Sequence, residues 1–287
     1  MKPYFVLKSW LKMIRWPLRR ARVARRWGVE NLQNAPIVFA NAMPKSGSHL
    51  LQQIAKGFAR IGPFVDSGFP SVNRSEDNVN LPVEMVAANL ERMRPGDIGH
   101  GKLNAIEPYL SLVTRPGWVT VFLYRDPRDL VVSHVFYASQ MNPRHGMYAY
   151  YNTETHSMEE RISTAVTGVE RPDGGMPSVF VRFERVMDWL EQPEVLCLRF
   201  EDLILEREVA LNQLLDHLAR QGFSPEMSRH QAVAALTGSI APRRSGTFRK
   251  GQPGNWSEYF TEANKTLMKE VAGDLLVRLG YEKDKDW

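Results

Sequence analysis

Pro36–Gly57 reads PIVFANAMPKSGSHLLQQIAKG, and the fold class follows from its three parts. From Pro36 to Met43 the chain is an apolar run of strand length bounded by proline, the pattern of a strand buried on both faces. Pro44-Lys45-Ser46-Gly47-Ser48 then makes a short turn. After it, Leu50, Leu51, Ile54, Ala55 and Phe58 recur at helical spacing. A buried strand, a glycine-bearing turn and a helix start form a cradle for an anion. The first amides of a helix lack acceptors, and its dipole favours negative charge there. Lys45 adds a full positive charge, and Ser46 and Ser48 add donors. In a nucleotide-triphosphatase loop the lysine follows the second glycine, as G-x-x-x-x-G-K-[ST]. Here Lys45 precedes Gly47 and no glycine stands upstream in the loop. Read alone, the segment is equally an ordinary strand-to-helix turn with a solvated lysine.

Outward from this unit, 287 residues with 43% hydrophobic and 24% charged side chains suit a globular enzyme. The net charge of +5 is unevenly placed. Residues 1–27 hold nine of the 37 Lys and Arg and no acidic residue, leaving 28 basic against 32 acidic groups, or −4, in residues 28–287. A body of that charge argues against nucleic acid as a partner. The single cysteine, Cys197, lies in an apolar run and reads as a small core residue. One cysteine, no apolar segment of spanning length and no signal-peptide pattern lead us to expect a cytoplasmic protein. Leu7, Trp10, Leu11, Ile14 and Leu18 fall on one helical stripe with cations between. They suit either an interfacial helix on an anionic membrane or a helix packed on the catalytic body.

Along the chain, Gly62–Asn80 reads as a long loop and Pro82–Met93 as a short helix. Asp97–Leu103, DIGHGKL, places His100 between two glycines, where backbones approach closely and little covers the ring. Gly117–Asp126, GWVTVFLYRD, is a second strong strand, and Pro127 opens a helix through Ala138. Arg125 at the strand end and Ser133 two turns into that helix can converge on one phosphate, which the planar fork of arginine grips in pairs. Phe136–Thr167 is polar and rich in tyrosine. Val195–Phe200 forms a further strand, ending in Phe200-Glu201-Asp202-Leu203. Late in the chain comes Phe248-Arg249-Lys250-Gly251-Gln252-Pro253-Gly254-Asn255-Trp256, and Thr261–Leu279 reads as one closing helix. His145 and His156 lack metal-ligand spacing, and no metal is expected.

These segments, in this order, resemble the sulfotransferases that use 3′-phosphoadenosine-5′-phosphosulfate (PAPS) and leave PAP. PKSGS is similar to the PKSGT(T) loop that opens them, YRDPRDLVVS to their 3′-phosphate motif, FEDL to their YEDL, and RKGQPGNW to their RKGxxGDW loop, with Asn255 in place of Asp. The resemblance covers about Ile37 to Tyr281. It implies an α/β fold with a mostly parallel sheet and helices on both faces, in one catalytic domain of residues 35–287 behind a basic segment of 1–34. It implies that Lys45, Ser46, Gly47, Ser48 and His49 hold the 5′ end of PAPS. Arg125, Ser133, Arg249, Lys250 and Gly251 then hold the 3′-phosphate, and Phe200 lies near adenine. His100 matches the family's catalytic base by its distance from Arg125, although the lysine two residues before it is Ile98 here and Lys102 follows instead. Lys45 would stabilise the leaving phosphate. The family's adenine-stacking Trp is Leu50, and its dimer motif is not met at Ser257, Thr261, Glu262 and Thr266, which leaves the oligomeric state open. The acceptor, a hydroxyl or amine on a small molecule, glycan or lipid, is not specified. The rival readings are a small-molecule kinase and an inactive membrane-surface adaptor of the same fold.

Overall fold

The computed structural model describes residues 3–172, 174–244 and 250–287. They fall into two compact units, Met1–Tyr124 with Asp188–Ser245, and Arg125–Met187 with Gly246–Trp287. In the first unit helices α1 (Pro3–Trp27) and α2 (Val29–Asn34) lead into β1 (Ile37–Ala42) and α3 (Ser48–Gly57). Next come β2 (Val65–Asp66), α4 (Val83–Glu91), β3 (Asp97–Gly101), α5 (Tyr109–Val113) and β4 (Trp118–Tyr124), and later β5 (Val195–Arg199).

The five strands form one parallel sheet in the order β2-β3-β1-β4-β5. Every residue of β1 and β4 is buried, as continuous apolar strands in a sheet covered on both faces require. Their alternation divides two layers. Val38, Ala40, Val121 and Leu123 join Leu51, Ile54 and Phe58 behind α3, with Leu211, Leu214 and Leu236 from helices Arg207–Arg220 and Arg229–Thr237. On the other face Phe39 meets Trp118 edge-on at 6.1 Å, and Phe122 lies 6.3 Å from Trp189. The chain order reverses at β1, with β3 on one side and β4 on the other. That switch point is where parallel sheets leave a crevice at the strand C-termini, and the loop carrying Lys45 follows β1 there.

In the second unit helix Met158–Thr167 packs against both α6 (Pro127–Phe136) and helix Glu262–Ala272. Asn264 clamps two of these, its Nδ2 donating to the Glu159 carbonyl at 3.1 Å and Ser163 Oγ at 2.9 Å. Tyr151, from the tyrosine-rich segment, is fully buried.

Two sequence expectations are corrected. The Gly62–Asn80 stretch is not all loop, because Val65–Asp66 adds an edge strand to β3. The closing helix is two helices, broken at Gly273, whose φ of 58° ends the first. His100 lies within β3. Its glycines are required by side chains from outside: a Cβ at Gly99 would stand 2.6 Å from Met93, and one at Gly101 2.9 Å from Phe39.

Candidate active site

The β1–α3 connection is held by few bonds and unusual backbone. The Met43 amide donates to Leu123 O at 2.9 Å, carrying β1 past its end, and the Ser46 amide closes the turn on Met43 O at 3.1 Å. Lys45 then adopts φ 72° and Gly47 φ 89°. A non-glycine residue in the left-handed region costs on the order of 1–2 kcal/mol, so the turn at Lys45 is held against strain. A Cβ at Gly47 would meet the Phe200 ring at 2.7 Å. Phe200 is thus the floor of the loop. The amides at the start of α3 face outward without helical acceptors. Ser46 is fully buried, and among the described residues its Oγ has no hydrogen-bond partner.

His100 lies on the neighbouring strand, its Cα in register with Ala40 of β1. Its side chain shares the α3 face with Ile98 and lines a cavity of about 240 Å³ with Lys56, Asp66 and Asp97. The ring is less open than its glycine neighbours led us to expect. Burial pushes its pKa down to about 4, with Lys56 adding to the shift and Asp66 opposing it. The imidazole is therefore neutral at physiological pH. His49, exposed on the first turn of α3, is also held below the usual histidine value, by partial burial and then by the charges of Lys102 and Lys45. Lys45, His49, Lys102 and His100 form one electrostatic group at the C-terminal edge of β1 and β3.

Within the second unit the two remaining motifs meet. Arg125 Nη2 pairs with Asp129 Oδ2 at 3.0 Å and donates to Gln252 O at 3.0 Å. Asp129, fully buried, receives the Gly254 amide at 2.8 Å on the same oxygen and the Trp256 amide at 2.8 Å on the other. Residues 252–256, QPGNW, are thereby bound to the helix that follows Arg125. Ser133 is half-buried on α6. Gly251 takes φ 64°. Lys250 is exposed and ion-paired with Glu258. Arg249 lies outside the described residues. Arg128 is structural, bonded to Asp126 and Glu282 and stacked between Trp256 at 4.0 Å and Trp287 at 4.6 Å.

Sequence reading missed several residues that position these groups. Asn41 receives the Leu103 amide at 2.8 Å and donates to its carbonyl, which Trp189 Nε1 also bonds at 3.0 Å. The segment after His100 is pinned by these bonds. The one available signal was an asparagine inside an otherwise apolar strand. Asp126 caps α6 through the Arg128 amide at 2.9 Å. Among the described residues no cluster of His, Cys, Asp and Glu is arranged to hold a metal ion.

Residues 36–280 match the sulfotransferase domain family. Among solved structures, a mouse sulfotransferase, SULT7A1, complexed with PAP superposes with a TM-score of 0.58 at 17% identity, covering 89% of this chain and 90% of that one. A retinol dehydratase in complex with androsterone and the inactive cofactor PAP gives 0.54 at 16% identity, covering 90% and 84%. The same enzyme with retinol and PAP gives 0.54 at 16%, covering 90% and 85%. No curated protein matches by sequence. These structures share the fold, and the family match takes in the whole sheet together with all three phosphate-type motifs. The chain belongs to the sulfotransferase domain family and is a sulfotransferase.

Proposed function

We propose that the chain transfers a sulfuryl group from PAPS to a hydroxyl or amine acceptor. The observation that carries this reading is the cradle at the switch point: a positively charged lysine in a strained turn, Gly47 closed against Phe200, and the unpartnered, buried Ser46 Oγ. An orphaned buried hydroxyl costs about 1–3 kcal/mol, and a phosphate oxygen would satisfy it. PAPS supplies the sulfuryl group and a phosphate that departs. Ser46, Gly47, Ser48 and His49 bind its 5′ end through amides and side-chain donors, with Phe200 supporting the loop from beneath. Arg125, Ser133, Lys250 and Gly251 bind the 3′-phosphate, Arg249 belonging to the same set.

His100, neutral because it is buried, takes the acceptor proton as the new S–O bond forms. Lys45 offsets the charge that builds on the released phosphate. Placing the reactants and neutralising charge provide most of the catalysis in such loose transfers. The protein works in the cytoplasm, peripherally at a membrane surface through α1. Among the described residues no helix is long and apolar enough to cross a membrane.

Isothermal titration with PAP, and with ATP in the presence and absence of Mg²⁺, tests the donor. We expect PAP to bind without metal and radiolabelled PAPS to pass its label to an added acceptor. Mg²⁺-dependent ATP binding without PAP binding would overturn the reading in favour of a kinase.

A further inference from the structure

A packed surface helix buries its apolar stripe, whereas α1 carries a second apolar row that stays exposed. Its inner face is mixed: Trp16 is buried with Val23 and Ala24 beside it against Leu32, Val65 and Phe69, and the rest of that face makes polar bonds. Lys12 pairs with Glu76 at 2.6 Å, Trp16 Nε1 donates to Asp97 at 3.1 Å, Arg19 donates to Asp66 O at 2.6 Å, and Arg20 pairs with Asp97 at 2.7 Å. Its outer face is apolar: Leu7 is 54% exposed, Trp10 59%, Ile14 43% and Leu18 55%, in steps of three and four residues along one row. Single exposed hydrophobics are ordinary, but a continuous row marks a contact. Arg15, Arg22, Arg25 and Arg26 are exposed around it, and residues 1–27 contain no acid. A second copy of α1 would bring like charges together, whereas an anionic bilayer complements them.

The inner face roofs the cavity that His100 lines. Ser9 and Trp16 of α1 form one wall, with Phe69, Met85 and Met93 among the others. Met85, at the rim, is exposed, as are Val79 and Val83 on the chain leading to it. At about 240 Å³ the cavity is below the roughly 300 Å³ where small-molecule sites begin. It accommodates the head of an amphiphile and leaves a long tail outside.

We infer that α1 is both the bilayer contact and the roof of the acceptor cavity, and that the acceptor is a membrane-resident alcohol whose hydroxyl reaches His100 beneath α1 while its tail stays in the lipid. The acceptor part rests on the role of His100 proposed above; the docking part stands without it.

The test uses the full chain with vesicles of phosphatidylcholine containing about one third phosphatidylserine, doped with a diazirine-bearing long-chain alcohol, and no donor. We expect the protein to sediment with these vesicles and not with pure phosphatidylcholine. Leu7→Glu/Ile14→Glu, unchanged in circular dichroism, should lower the bound fraction roughly tenfold. Photolysis should label peptides carrying Met85 or Phe69. Equal sedimentation of the double variant, or of wild type with neutral vesicles, overturns the docking. Label confined to the outer row of α1 overturns the membrane alcohol as acceptor. Labelling at Met85 in a protein that fails to bind PAP would uphold the lipid site and remove the sulfuryl-transfer reading instead.

Discussion

Asp129 holds Arg125 in a buried ion pair of 3.0 Å while the same carboxylate receives the amides of Gly254 and Trp256. One acid thus fixes the guanidinium and the late loop together. Asp129→Asn keeps the size but leaves one acceptor oxygen and no charge. Charge-assisted bonds of this kind are worth about 1.5–3 kcal/mol each. We expect PAP affinity by titration to fall at least tenfold and the melting temperature to drop. An unchanged dissociation constant would detach Asp129 from the nucleotide site.

Gly47→Ala places a methyl where the Phe200 ring stands 2.7 Å away, at φ 89°. Both effects act in the same direction, and a loss of about 1–3 kcal/mol is expected. Adding Phe200→Leu removes the clash but not the backbone strain, so denaturant titration should show partial recovery. Full recovery would mean the backbone conformation contributes nothing.

Lys45 separates charge from strain. At φ 72°, Lys45→Gly relaxes the turn and should hold or raise the melting temperature. Removing the cation proposed to offset the leaving group's charge should lower kcat on the order of a thousandfold, equivalent to about 4 kcal/mol. A Lys45→Gly enzyme with near-normal kcat would end the proposed role.

His100 titrates near 4, below the ordinary 6.5. Its neutral form is the proposed base, so kcat/KM should fall as pH drops through about 4 and stay level around pH 6.5. Stability has the same sign. The unfolded chain takes up the proton first, so folding free energy declines as pH falls from 6.5 towards 4, by on the order of 3 kcal/mol in full. His100→Gln should flatten that part of the acid-denaturation curve and abolish turnover. An acid limb at pH 6.5 in the wild type would place the base elsewhere.

Much of this protein was legible in one dimension because the decisive signals are local. The apolar run before Pro44 could only be a strand with both faces covered, and Pro127 after Asp126 could only begin a helix. The order of Lys45 and Gly47, the arginine at the end of β4 and the late glycine loop mark the family without a contact being known. Partnerships were another matter. That Arg125 also donates to Gln252 O and Arg128 to Glu282 depends on segments 127 and 154 residues apart.

The residue sequence by itself determined the parallel α/β architecture and the residue types of the phosphate-type motifs, since periodicity and turn chemistry act between near neighbours. Tertiary structure alone decided that His100 belongs to a strand, that burial rather than a partner charge dominates its proton affinity, and that Lys12, Arg19 and Arg20 of α1 turn inward to bond the body. Each of these is set by which distant surface supplies the neighbouring atoms: Met93 and Phe39 for the glycines beside His100, and Glu76 and Asp97 for α1.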